Sequence, residues 1–198
     1  YHFAFNPVFA ERNVVNFFKG LPILETKLRL GFIIDSQRFD VDNSRQRISD
    51  KEKTKGQLIK AFSELVKVLR EIKASDPHKF DYIYKAIAAT KYQEGEDFKY
   101  IKEAFQEVFV PFFEEFVLTA SGDYEKIDNV RSFAENYEVP LKKIGITEYK
   151  WIDDYIKKDL NRHKIDVGRI DFSTLLSDAE PLKLAEWINN LSANDYSE

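Results

Sequence analysis

The sequence predicts an all-α fold: an irregular multi-helix bundle of about eight helices, with at most one small β-hairpin near residues 164–172. Three observations predict it. Apolar residues recur at three- and four-residue steps along most of the chain. Pro and Gly stand where helices begin and end. Alternating strand patterns are nearly confined to 164–172. A chain of 198 residues with 43% hydrophobic and 32% charged residues can bury a core and is too apolar to remain disordered. Residues 1–138 are expected to form the main bundle, and 139–198 a C-terminal helical subdomain packed on it, within a single compact domain.

Asn6 and Pro7 read as an N-cap and a first helical proline, with Gly20 as the C-terminal stop, bracketing Val8, Phe9, Val14, Val15, Phe17 and Phe18. Pro22 opens a second helix through Leu28, Leu30, Phe32 and Ile34. Residues 35–56 lose all periodicity and read as a long exposed connection. From Gln57 the spacing of Leu58, Phe62, Leu65, Val66, Leu69 and Ile72 predicts the clearest helix. Asp76 and Pro77 start another, running to about Tyr92. Asp97 begins a third, with Phe105, Phe109, Phe112, Phe113 and Phe116 on its face and a kink or break near Pro111. Helices follow over 123–137, briefly over 141–144, from Thr147 to about Arg162, and from Glu180 to Leu191. In the hairpin, Ile165 and Val167 alternate before Gly168, and Ile170 and Phe172 after it.

The composition removes several function classes. Cysteine is absent, which excludes disulfides, thiolate metal sites and thiol nucleophiles. A net charge of −4 argues against bulk electrostatic binding of nucleic acid or anionic lipid. No apolar run approaches the ~20 residues of a spanning helix, so no membrane insertion is expected. Nothing fixes a compartment, the cytoplasm being favoured. Methionine is missing even at position 1, so a processed, trimmed or incomplete chain is expected. Seven glycines form no phosphate loop and no strained nucleophile turn. No catalytic residue and no cofactor is expected.

Four constellations remain. Asp159 and His163 stand one helical turn apart, with Asp166 beyond, as candidate metal ligands of a helical nuclease or hydrolase; the plainer reading is a solvated ion pair. A helical ribonuclease of the HEPN class would need an Arg followed closely by His, and Arg70 with His78 misses that spacing. The phenylalanine series from Phe105 to Phe116 reads as core ahead of a ligand pocket. In the fourth, Leu141, Gly145, Ile146, Thr147 and Trp151 resemble the helix-turn-helix pattern, with 164–172 as a wing. The resemblance implies a DNA-contacting helix carrying Lys150, Lys157, Lys158 and Arg162, with Arg169 on the wing. Residues 139–172 hold eight Lys/Arg against six Asp/Glu, a weak net of +2 for such a face. The 44–57 connection adds Arg45 and Arg47 as candidate nucleic-acid contacts, with Lys51, Lys53 and Lys55. The leading expectation is a non-enzymatic α-helical protein-interaction domain, part of a larger protein or complex, with a protein partner; nucleic-acid binding is the alternative.

Overall fold

A computed structural model describes residues 1–44, 46–92, 96–133, 150–171, 173, 177 and 179–194. It overturns the all-α expectation: among these residues the protein is mixed α/β, with five α-helices and four small sheets, and is not an eight-helix bundle. The chain divides into two compact units. One comprises residues 1–112 with 158–165; the other comprises residues 113–157 with 166–198.

The first fifty residues build strands where helical spacing predicts two helices. Strands β1 (His2–Phe5), β2 (Val14–Val15), β3 (Phe17–Phe18), β4 (Lys27–Leu28) and β5 (Phe32–Asp35) are joined by 3-10 turns at Pro7–Glu11 and Leu24–Thr26. Along β5 the burial alternates, Phe32 and Ile34 inward, as the period of two requires. β1 pairs antiparallel with β5 in the register His2↔Asp35 to Phe5↔Phe32, and β3 pairs with β5 in parallel, giving the order β1-β5-β3. Buried side chains supply what the short ladders lack. The Asn16 amide donates to the carbonyls of Leu30 (3.3 Å) and Phe32 (2.6 Å), and its oxygen accepts from the Leu28 N–H (3.1 Å). Thr26 accepts from the Phe17 N–H and donates to the Ile23 carbonyl. Gly31 lies so close to the next layer that an added Cβ would stand 1.7 Å from the Ala86 carbonyl oxygen.

Helix α1 (Lys51–Ser75) starts earlier than the apolar spacing suggests, because Asp50 caps it by accepting from the Lys53 N–H at 2.9 Å. Residues 51–56 of the expected exposed connection are therefore its first turns. Asp76 caps α2 (Pro77–Ala88) in the same way, with Pro77 in the first turn. Helix α3 (Lys99–Glu115) continues through Pro111. The core of the first unit is aromatic: Phe62 lies 5.7 Å from Phe32, 6.3 Å from Phe105 and 5.0 Å from Phe109, ring centre to ring centre. Phe105, Phe109, Phe112 and Phe113 are buried, so these periodic phenylalanines are interior, while Phe116 is half-buried.

In the second unit, β6 (Val117–Leu118) pairs antiparallel with β7 (Tyr124–Glu125). β8 (Val130–Phe133) is flanked in parallel by β9 (Lys150–Trp151) and β10 (Arg169–Ile170). A strand thus occupies 130–133, where a helix over 123–137 is expected. Among the described residues the 164–172 hairpin is replaced by a parallel pairing of Arg169 and Ile170 with Ser132 and Phe133, and Phe172 lies outside them. Trp151 lies in β9, and α4 (Asp154–Arg162) begins only after Asp153, whose carboxylate caps it by accepting from the N–H groups of Tyr155 and Ile156. Residues 139–149, which carry most of the helix-turn-helix pattern, lie outside the described residues. The last helix is α5 (Pro181–Asn194).

Candidate functional site

His163 is 1% exposed, at the end of the segment 158–165 that belongs to the first unit. Its Nε2 lies 2.8 Å from the Ala88 carbonyl oxygen, and its Nδ1 lies 2.8 Å from the Tyr92 hydroxyl. A carbonyl only accepts, so Nε2 carries the proton, and neutral Nδ1 accepts from Tyr92. Phe105 stacks on the imidazole at 5.0 Å, and Tyr92 meets it edge-on at 5.3 Å. Burial drives the imidazole pKa down to about 4, helped by the nearby Arg162 charge and opposed by the Ala88 hydrogen bond. Burial also raises the Tyr92 phenol.

Beside it, Arg162 donates to Asp159 at 2.9 Å, and Lys91 pairs with Glu11 at 2.7 Å. Burial holds the Asp159 carboxyl above its usual range despite the Arg162 partner, so desolvation outweighs pairing there. Of the candidate metal ligands, His163 has both ring nitrogens engaged and Asp159 faces Arg162. Asp166 is exposed in the second unit. No group of three His, Asp or Glu positioned to hold a metal ion occurs among the described residues.

Several of the candidate nucleic-acid contacts already carry carboxylate partners. Lys150 is held by Glu125 (2.8 Å) and Asp123 (3.2 Å), and hydrogen bonding to these carboxylates raises its pKa. Arg162 is paired, Lys157 is half-buried, and Lys158 and Arg169 are exposed. Arg47 is exposed in a tight loop tied by the Asp42 carboxylate, which accepts from the N–H groups of Gln46 and Arg47. Arg45 lies outside the described residues. Lys51, Lys53 and Lys55 pair with Asp97, Asp40 and Glu103.

An open cleft of about 260 Å³ is lined by Tyr1, His2, Asp35, Ser36, Gln37 and Arg38. The Arg38 guanidinium sits over the Tyr1 ring, 5.3 Å from its centre, and Asp35 accepts from the Gly20 N–H. The cleft is lined mainly by polar side chains and lacks the apolar walls of a small-molecule site.

A different surface carries more. In the first unit, β1, the 7–11 turn and α2 adjoin one another. There Tyr82 is 47% and Val8 50% exposed, and Phe3 and Phe5 on β1 are half-buried. The Tyr82 hydroxyl donates to the Phe5 carbonyl at 3.1 Å, and Phe3 stacks on Phe5 at 5.8 Å. Residue-by-residue reading of the sequence gives no sign of this surface, since Val8 and Phe9 fit a buried helix stripe and Tyr82 an exposed helix position. The alternation in His2–Phe5 is the one available signal.

Searches against family models, curated proteins and solved structures find no match for this chain.

Proposed function

We propose that this chain is a protein-interaction domain with no catalytic role of its own, acting within a larger protein or complex. The observation that carries the reading is that exposed Val8 and Tyr82 and half-buried Phe3 and Phe5 lie on adjoining elements of the first unit. They stand where water would be replaced with gain by another chain. Two facts support it. The buried imidazole of His163 is spent on holding the fold, and the ionisable groups beside it pair with each other. Nucleic-acid binding is the less supported alternative, because Lys150 and Arg162 already carry carboxylate partners. No helix among the described residues is long and apolar enough to cross a membrane.

Site-specific photo-crosslinking tests the proposal. A benzophenone side chain at Tyr82 is expected to yield a defined protein adduct in cells. The same group at exposed Lys60 on α1 yields none. Equal, diffuse labelling from both positions refutes an interaction surface at β1 and α2.

A further inference from the structure

The edge of β1 says more about what the partner is. In an antiparallel ladder, alternate residues direct both backbone groups at the neighbouring strand and the residues between direct theirs away. The Asn6 N–H bonds to the Gly31 carbonyl, so with the register His2↔Asp35 to Phe5↔Phe32 it is His2, Ala4 and Asn6 that face β5. The backbone groups of Phe3 and Phe5 therefore point to the other side, where among the described residues the sheet order β1-β5-β3 places no further strand. One of them, the Phe5 carbonyl, accepts from Tyr82, and a carbonyl oxygen has a second lone pair.

The opposite edge of this sheet is blunted. Past β3 the chain folds back so that the Ile23 N–H bonds to the Phe17 carbonyl, with a bridge between Phe18 and Pro22. β1 is short and Tyr82 of α2 meets one of its outward carbonyls, but it lacks the charged, proline and bulge devices that keep edges apart. It carries no Lys, Asp, Glu or Pro and no bulge, and each of its four residues keeps register with β5.

We infer that β1 is the seam of a homodimer in which two copies pair antiparallel about a twofold axis at Ala4. This rests on the protein-interaction reading and names the partner as a second copy of this chain. The edge is self-complementary about that point. Phe3 exchanges both N–H and C=O bonds with Phe5 of the partner subunit, and Phe5 does the same with Phe3 of the partner subunit, so one strand's outward groups match the other's. Ala4 then faces Ala4 of the partner subunit in the close, non-hydrogen-bonded position, which the small exposed methyl group permits. On the inner face each Phe3 stands opposite Phe5 of the partner subunit, an aromatic cross-strand pair that covers rings left half-buried in one copy. The result is one continuous six-stranded sheet, running β3-β5-β1 and then β1-β5-β3.

Because Ala4 is exposed, its substitution leaves the single copy intact and acts on the seam alone. In sedimentation equilibrium the unaltered chain is expected to be dimeric. Ala4→Lys and Ala4→Glu, which set like charges face to face, are each expected to weaken dimerisation by about fivefold or more. An equimolar mixture of the two restores a heterodimer. A chain monomeric up to about 1 mM, where association is worth only about 4 kcal/mol, overturns the inference; so does a dimer indifferent to both substitutions. The crosslinker at Tyr82 separates the two claims. An adduct to a different protein, with the chain itself monomeric, overturns self-pairing and leaves the interaction reading standing. No adduct of any mass removes both.

Discussion

Tyr92 donates its phenolic hydrogen to Nδ1 of His163 at 2.8 Å, while the opposite side of the same imidazole donates to the Ala88 carbonyl. The ring is thereby fixed in one tautomer and clamped between the end of α2 and the chain just beyond it. Tyr92→Phe keeps the packing and removes only the hydroxyl, leaving a buried lone pair unsatisfied. A loss of about 1–3 kcal/mol is expected, read as a lower urea midpoint at unchanged slope.

Acid acts on the same pair. The folded-state pKa of His163 is depressed to about 4, so below the ordinary imidazole value the unfolded chain binds more protons than the folded one. Its contribution is fully present above about pH 6.5 and is lost as pH falls towards 4, about 3 kcal/mol across that window. Asp159, whose pKa is raised, works in the opposite sense at the lower end of the range. Comparing urea stability of the unaltered chain with His163→Gln at pH 7 and pH 4.5 isolates the imidazole. The difference between the two proteins is expected to shrink in acid.

Two glycine-to-alanine substitutions are expected to differ in sign. At Gly31 the new methyl group meets the Ala86 carbonyl, backbone against backbone, and neither side can yield without moving β5 or α2. A loss of about 3 kcal/mol or more is expected. At Gly56, inside α1, an added Cβ meets nothing within 4 Å. There the change is expected to stabilise by about 0.5–1 kcal/mol, the helix-propensity difference. Thermal unfolding of both variants gives the comparison directly.

Asn16→Ala strips partners from the Leu28 N–H and the carbonyls of Leu30 and Phe32 at once, in a site where Asn16 is 0% exposed. A cost of about 3 kcal/mol or more is expected, since each orphaned backbone group carries its own desolvation penalty. Hydrogen exchange is expected to show the loss concentrated in β2 to β5, before global unfolding.

If the chain works through protein contacts, duplex DNA or RNA at low salt should give no retarded complex. Charge reversal of Lys157, Lys158 and Arg169 should change nothing. A salt-sensitive shift abolished by those reversals would restore the nucleic-acid alternative.

The sequence displays α1 plainly because Leu58, Phe62, Leu65, Val66 and Leu69 repeat at helical spacing and are buried together. Its first turns are hidden, because the charged run after Asp50 carries no apolar signal and only the cap marks the start. The opposite failure occurs before residue 36. Val14, Val15, Phe17 and Phe18 fit a helix stripe as well as they fit strands, and what decides is supplied from afar. Asn16 satisfies backbone groups 14 and 16 residues away, and Thr90 caps the Gly31 N–H across 59. Local periodicity contains none of this. His163 stands out in the sequence as a titratable residue near acids, whereas its partners, Tyr92 and Ala88, are 71 and 75 residues distant. Long-range pairing turns an apparent ligand into a structural clamp.

The segment 158–165 belongs to the first unit, although in sequence it follows residues 113–157 of the second. For a protein made from its N-terminus onward, Tyr92 and Phe105 therefore wait for an imidazole not yet synthesised when residue 112 leaves the ribosome. The first unit is therefore complete only once residue 165 has been made.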